Sequence, residues 1–181
     1  IRNSQKFTLQ QNFYYVLEYF ALFLNLCELD HRIPFLAVAP NPYLPPTTTE
    51  RYTLVIDLLQ VMCHPKKTDC FRPYTQYFLE EMSQYYELVV FSAAYPNHLN
   101  KVIDIVDRKK RVKHRLYRHH AIRSFGQFVK DTGRLGRDLS KVILVEGNTI
   151  NTGGGQQDRL SHDSTIPVRA WTGSSKDTLL A

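Results

Sequence analysis

Three short runs, Leu54-Val-Ile56, Leu88-Val-Val-Phe91 and Val142-Ile-Leu-Val145, contain only apolar residues. A strand wetted on one side alternates polar with apolar residues, whereas a strand buried on both faces need not. Between the runs lie stretches at helical spacing. Tyr74, Tyr77, Phe78, Met82 and Tyr85 follow Pro73, and Leu99, Val102, Ile103 and Val106 follow Pro96. Both prolines are expected in first helical turns, where a missing amide costs little. Both apolar stripes are expected to face the core. Arg115–Tyr117 and Gln127–Lys130 read as short strands around a turn at Gly126, and Ile166–Trp171 as a further strand. Strands that alternate with helices predict an α/β fold, a mainly parallel sheet covered on both faces.

Such sheets place their ligand site beyond the carboxyl ends of the strands. The three apolar runs end beside Asp57, Ser92 and Glu146. A strand-end aspartate can attack a phosphoryl group and form an acyl phosphate. The reaction needs a cation, typically magnesium, held by oxygen ligands. It also needs a hydroxyl and a lysine on the phosphate oxygens, and an acid that protonates the leaving oxygen. That acid is worth about 100- to 10,000-fold in rate.

With 181 residues, 43% hydrophobic and 22% charged, the chain suits one domain with a substantial core. Residues 1–50 read as a separate region. Asn12–Leu29 is aromatic and apolar, with Glu18 as its one internal charge. Three readings stay open for it: a helix on a partner or on its own domain, a membrane helix, or a strand-rich segment. A spanning helix needs about 20 apolar residues, and a charge near its middle is costly. Pro34–Thr49 holds five of the nine prolines and reads as an extended arm that cannot bury itself. The main domain is expected over 51–181. A first residue of Ile suggests a processed product or part of something longer. The Gly-rich segment 152–164 lacks a complete phosphate-loop pattern and reads as a surface insertion.

The net charge is +6, and Arg108, Lys109, Lys110, Arg111, Lys113 and Arg115 concentrate it. This run is the candidate partner-binding surface, for an acidic surface, RNA or anionic lipid. Nucleic acid is not the expected partner. The neighbouring His119-His120 lacks helical metal spacing, so zinc is not expected there. Cys27, Cys63 and Cys70 have no CxxC spacing and are read as free thiols.

Several stretches resemble one family. RPYTQYFLEEMSQYYELVVFSAA (Arg72–Ala94), VKDTGRLGRDLSKVILV (Val129–Val145) and IPVRAWTGSSKDTLL (Ile166–Leu180) follow its ordered motifs. Residues 51–181 are thus similar to the phosphatases of the RNA polymerase C-terminal domain, within the haloacid dehalogenase-like superfamily. YLPP before the first strand, SQYYE, and FS where FT is usual resemble the presequence receptors of the mitochondrial inner-membrane translocase.

The resemblance implies a haloacid dehalogenase-like Rossmannoid fold. It aligns Asp57 with the nucleophile, Ser92 with the phosphate-binding hydroxyl and Lys130 with the phosphate-binding lysine. Leu59 stands where the general acid belongs. Val61 replaces the usual threonine, and His64 matches a common family histidine with a loop role. Glu146 and Gly147 stand where metal-binding acids are expected. With two elements of one mechanism missing, the chain is expected to be a pseudoenzyme. No cofactor is expected, with magnesium only if activity persists. The expected partners are protein subunits of a mitochondrial inner-membrane assembly, presequence peptides among the candidates, with membrane contact through 12–29 left open. The alternative is an active magnesium-dependent serine/threonine phosphatase. Trp171 is expected as a packing anchor.

Overall fold

The computed structural model describes residues 39–47, 49–64, 66–124, 127–148 and 164–181. The segment 12–29, the start of the arm, Cys27 and nearly all of 152–164 lie outside the described residues. In chain order the elements are β1 (Tyr52–Asp57), β2 (Cys63–His64), β3 (Lys67–Phe71), α1 (Thr75–Tyr85), β4 (Tyr86–Phe91), α2 (Pro96–Val106), β5 (His114–Leu116), β6 (Ile122–Ser124), β7 (Gln127–Val129), β8 (Val142–Asn148) and β9 (Thr165–Arg169).

Five strands form a parallel sheet in the order β5-β4-β1-β8-β9. The apolar runs are its middle strands, with Val55 opposite Val89 on one side and Leu144 on the other. Alternation along β1 splits its side chains between two clusters. Leu54 and Ile56 join Leu79 of α1 and Leu99, Val102 and Ile103 of α2. Val55 faces the other way, with Val89, Phe91, Leu116 and Leu144. The sheet is thus buried on both faces, as the uninterrupted apolar runs require.

The second face carries a correction to the expected arm. No described α-helix contributes to it. Ala39, Tyr43 and Leu44 of the arm do, together with Ala121 and Leu135. Tyr43 meets Phe91 edge-on at 6.3 Å and His120 at 5.2 Å. Backbone bonds fix the path: Ala39 N–H donates to His119 O, Tyr43 N–H to Arg134 O and Leu44 N–H to Leu135 O. Proline density removed some amide donors but not the apolar side chains between them. Burial of Tyr43 or Leu44 is worth about 1.5–3 kcal/mol each, enough to hold an extended strip.

Three further expectations need revision. Helix α1 begins at Thr75, because Tyr74 sits at φ 66 and breaks the turn that Pro73 would have opened. Pro96 does begin α2. Tyr74, Tyr77 and Tyr85 are exposed at 53%, 55% and 63%, and only Phe78 and Met82 of that stripe lean on the core. The segment 114–116 does not pair with 127–129. It adds to β4 as an edge strand, and Ile122–Ser124 is the hairpin partner of β7. Leu116 explains this: it is 1% exposed beneath the second face, where a hairpin could not place it.

Two polar hubs bind the periphery. Glu87, near the start of β4, receives Arg137 through Nε at 2.8 Å and Nη2 at 2.9 Å, with His114 Nε2 at 3.1 Å. Arg137 also donates to Pro45 O, tying the arm to the sheet. Buried Arg72 donates to Val61 O at 2.8 Å and Arg169 O at 2.7 Å, and pairs with Asp177 at 3.2 Å. No helix among the described residues is long and apolar enough to cross a membrane.

Candidate functional site

Asp57 closes β1, and parallel pairing puts Phe91 beside it, so Ser92 emerges one residue beyond at the adjacent strand end. Glu146 lies near the end of β8 on the other flank, where β8 pairs Val145 with Ile56. The β6–β7 hairpin then delivers Lys130 across the top. Its Nζ lies 3.3 Å from Asp57 Oδ2 and 2.5 Å from Glu146 Oε1. Of the three strand-end residues, Asp57 and Glu146 are thus joined through Lys130, which the resemblance, not the strand ends, pointed to. Ser92 is fully buried; its N–H donates to Leu116 O and its Oγ accepts from the Ala94 N–H.

Two carboxylates share one ammonium. Burial pushes the Asp57 carboxyl up to about 6, against the pull of Lys130 and with the added repulsion of Glu146. Burial also works against the charge on Lys130, but Asp57 and Glu146 outweigh it and hold its pKa above the usual value. Lys130 therefore stays cationic, and burial makes the Asp57 carboxyl readier to take a proton.

Leu59 lies two residues beyond Asp57. Its backbone N–H donates to the Asp57 carboxylate, while its side chain leans on the helix-side core. Gln60 follows at φ 77, its N–H donating to Cys63 O and its carbonyl accepting from the Trp171 N–H. This turn sets the Gln60 side chain over Gly147. A Cβ at residue 147 would lie 2.6 Å from both Gln60 Cβ and Gln60 Oε1. The donor set among the described residues does not fit a magnesium ion. Asp57 and Glu146 are both bound to Lys130, residue 147 offers no side chain, and Gln60 fills its space. Among the described residues no cluster of three or more His, Cys, Asp or Glu could hold a metal.

The surrounding residues have mostly architectural tasks. His64 Nδ1 accepts from the N–H groups of Lys66 and Lys67 and so holds the β2–β3 turn. Trp171 is buried, donates Nε1–H to Ser174 O and meets His64 edge-on at 6.4 Å. Cys63 is buried, and desolvation pushes its thiol up to about 12; Cys63 and Cys70 are both free. His119 and His120 are buried beneath the arm, where burial keeps His120 neutral.

The basic run divides. Arg115 is tied to α2 through Asn100 at 3.0 Å and Asp104 at 2.7 Å. Lys109 pairs with Glu80 at 2.5 Å, and Lys110 sits at φ 53. Arg108, Arg111 and Lys113 remain exposed. Sequence reasoning did not single out Gln60 or Arg72. The signal for Gln60 was indirect: a glycine opposite it, at a position where a side chain was expected.

Residues 52–181 match the model of a family described as NLI interacting factor-like phosphatase. "CTD small phosphatase-like protein 3" of Caenorhabditis elegans is 33% identical, over 91% of this chain and 63% of its own length. "Mitochondrial import inner membrane translocase subunit TIM50" of Candida glabrata is 31% identical, over 81% of this chain and 30% of its own. The chain thus spans under two thirds of these relatives. A fission yeast RNA polymerase II CTD phosphatase structure bound to beryllium fluoride aligns with a TM-score of 0.43 at 19% identity. That alignment covers 52% of this chain and 36% of the other.

Proposed function

Since the chain belongs to the NLI interacting factor-like phosphatase family, we propose that it is a non-catalytic member whose task is binding. It serves as a subunit of a mitochondrial inner-membrane assembly, either as a presequence-translocase receptor or as an accessory subunit of a larger complex. The TIM50 relatives support the setting.

One residue carries this reading: by its place in the family's motif, Leu59 stands where an acid would protonate the departing oxygen. Attack by Asp57 on a phosphoryl group would expel an alkoxide with no acid to receive it. Loss of a general acid costs about 100- to 10,000-fold. The crowded space at Gly147 and the shared ammonium of Lys130 add to this, since neither carboxylate is free.

Retention of Asp57, Ser92 and Lys130, and the phosphatase names of several relatives, favour a second reading as an active magnesium-dependent serine/threonine phosphatase. The two are separated by purified protein, magnesium and an aryl phosphate. The binding reading expects turnover at the level of buffer. Turnover that disappears in Asp57→Asn would establish the enzyme instead.

A further inference from the structure

A groove of about 590 Å³ opens where the start of α1 faces the segment that follows α2. Phe71 and Val106 give it apolar lining, and the half-exposed rings of Tyr74 and Tyr77 stand on one side. Arg108 and Arg111 line the other. The Arg108 side chain has no hydrogen-bonded or ion-paired partner among the described residues, and the Arg111 side chain has only a through-space pull on Glu80. The Lys109–Glu80 pair closes one part of the wall.

We infer that this groove docks an acidic, apolar-bearing segment of a partner protein. The inference deepens the binding reading above, and rests on it only for the claim that docking is the domain's task. The charge pattern sets the chemistry. Of the cationic side chains that line the groove, Arg72 is buried and paired with Asp177 and Lys109 is paired with Glu80, which leaves Arg108 and Arg111 facing Asp107. Asp107 is consumed as a cap on the Arg111 and Val112 amides. The excess positive charge attracts carboxylates and repels Arg-rich, acid-poor transit peptides. Two carboxylates in the lining also disfavour nucleic acid, whose phosphates demand a continuous cationic track. A concave groove suits an inserted chain and not the plane of a bilayer. Tyrosines supply large contact area at low entropic cost, which is why they recur at binding hot spots.

The test uses the full 181-residue chain and a short fluorescein-labelled peptide of alternating glutamate and leucine, read by anisotropy. Binding is expected to weaken by about ten-fold or more in Arg108→Glu/Arg111→Glu, because charge-assisted contacts are replaced by repulsion. Tyr77→Ala should weaken it too. Lys101→Glu, an exposed cation of α2 outside the groove and outside the basic run, should leave it nearly unchanged. Circular dichroism checks that each variant folds. The inference is overturned by absence of binding, by equal binding of the same peptide with lysine for glutamate, or by indifference to the arginine reversal. Stronger competition by polyuridylate or phosphatidylserine vesicles than by unlabelled peptide also overturns it. Aryl-phosphate turnover is measured on the same samples. Turnover alongside peptide binding would defeat the non-catalytic reading and leave the groove standing.

Discussion

Gln60 and Gly147 are matched: the side chain of one occupies the space that a side chain on the other would need. A side chain at 147 requires Gln60 to move or to shrink. Gly147→Asp alone should therefore lower stability by about 1–3 kcal/mol through overpacking. Gln60→Gly/Gly147→Asp should recover most of that loss, since Gln60 already sits at φ 77, where glycine is unstrained. Urea unfolding of the two variants checks the order. Equal destabilisation in both would refute the match.

Lys130 should matter more than either of its partners. Lys130→Met leaves Asp57 and Glu146 facing each other without a cation, and breaking such a buried set costs about 3–5 kcal/mol. Asp57→Asn leaves Lys130 with Glu146 and should cost clearly less. Chemical denaturation of the pair of variants measures the asymmetry.

Acid should act on the fold through Glu87. The His114 hydrogen bond, working against burial and helped by Arg137, holds its carboxyl well below the usual range. A depressed carboxyl contributes stability above its unfolded value of 4.5 and loses it as pH falls. The melting temperature should drop on acidification below that value, and Glu87→Gln should flatten the drop. An unchanged acid limb in the variant would contradict this.

Asp57 has the opposite sign. Its carboxyl is raised from 3.8 to about 6, so its contribution is full below 3.8 and lost as pH rises through 6. Carboxyl carbon shifts followed by NMR should titrate near 6 for Asp57. Lys130→Met should move that midpoint upward, because the first opponent of burial is gone.

Tyr43→Ala should cost about 3–5 kcal/mol, the usual range for emptying a large buried aromatic site. Thermal unfolding of the variant tests whether the arm belongs to the core. A loss below about 1 kcal/mol would mean that it does not.

The apolar runs made the sheet legible, because only burial on both faces tolerates LVI, LVVF and VILV in succession. The strand-end residues Asp57 and Glu146 followed from the same reasoning, and Lys130 from a resemblance. What escaped was decided by tertiary context. Tyr77 and Tyr85 keep helical spacing but lie on the wet side of α1, since periodicity marks a stripe without saying which way it faces, and Tyr74 precedes the helix. Tyr43 and Leu44 escaped because two apolar residues among prolines carry no period at all. Leu116 was hidden in a basic run whose charges mask one inward side chain. Gln60 contributes through its backbone turn, which composition does not announce.

Ala39 enters the domain on the arm-covered side of the sheet, whereas the groove opens among the helices on the reverse side. The groove and the strip 39–44 therefore lie on opposite faces of one sheet. A ligand seated among the helices need not disturb the arm, so docking leaves the second face closed.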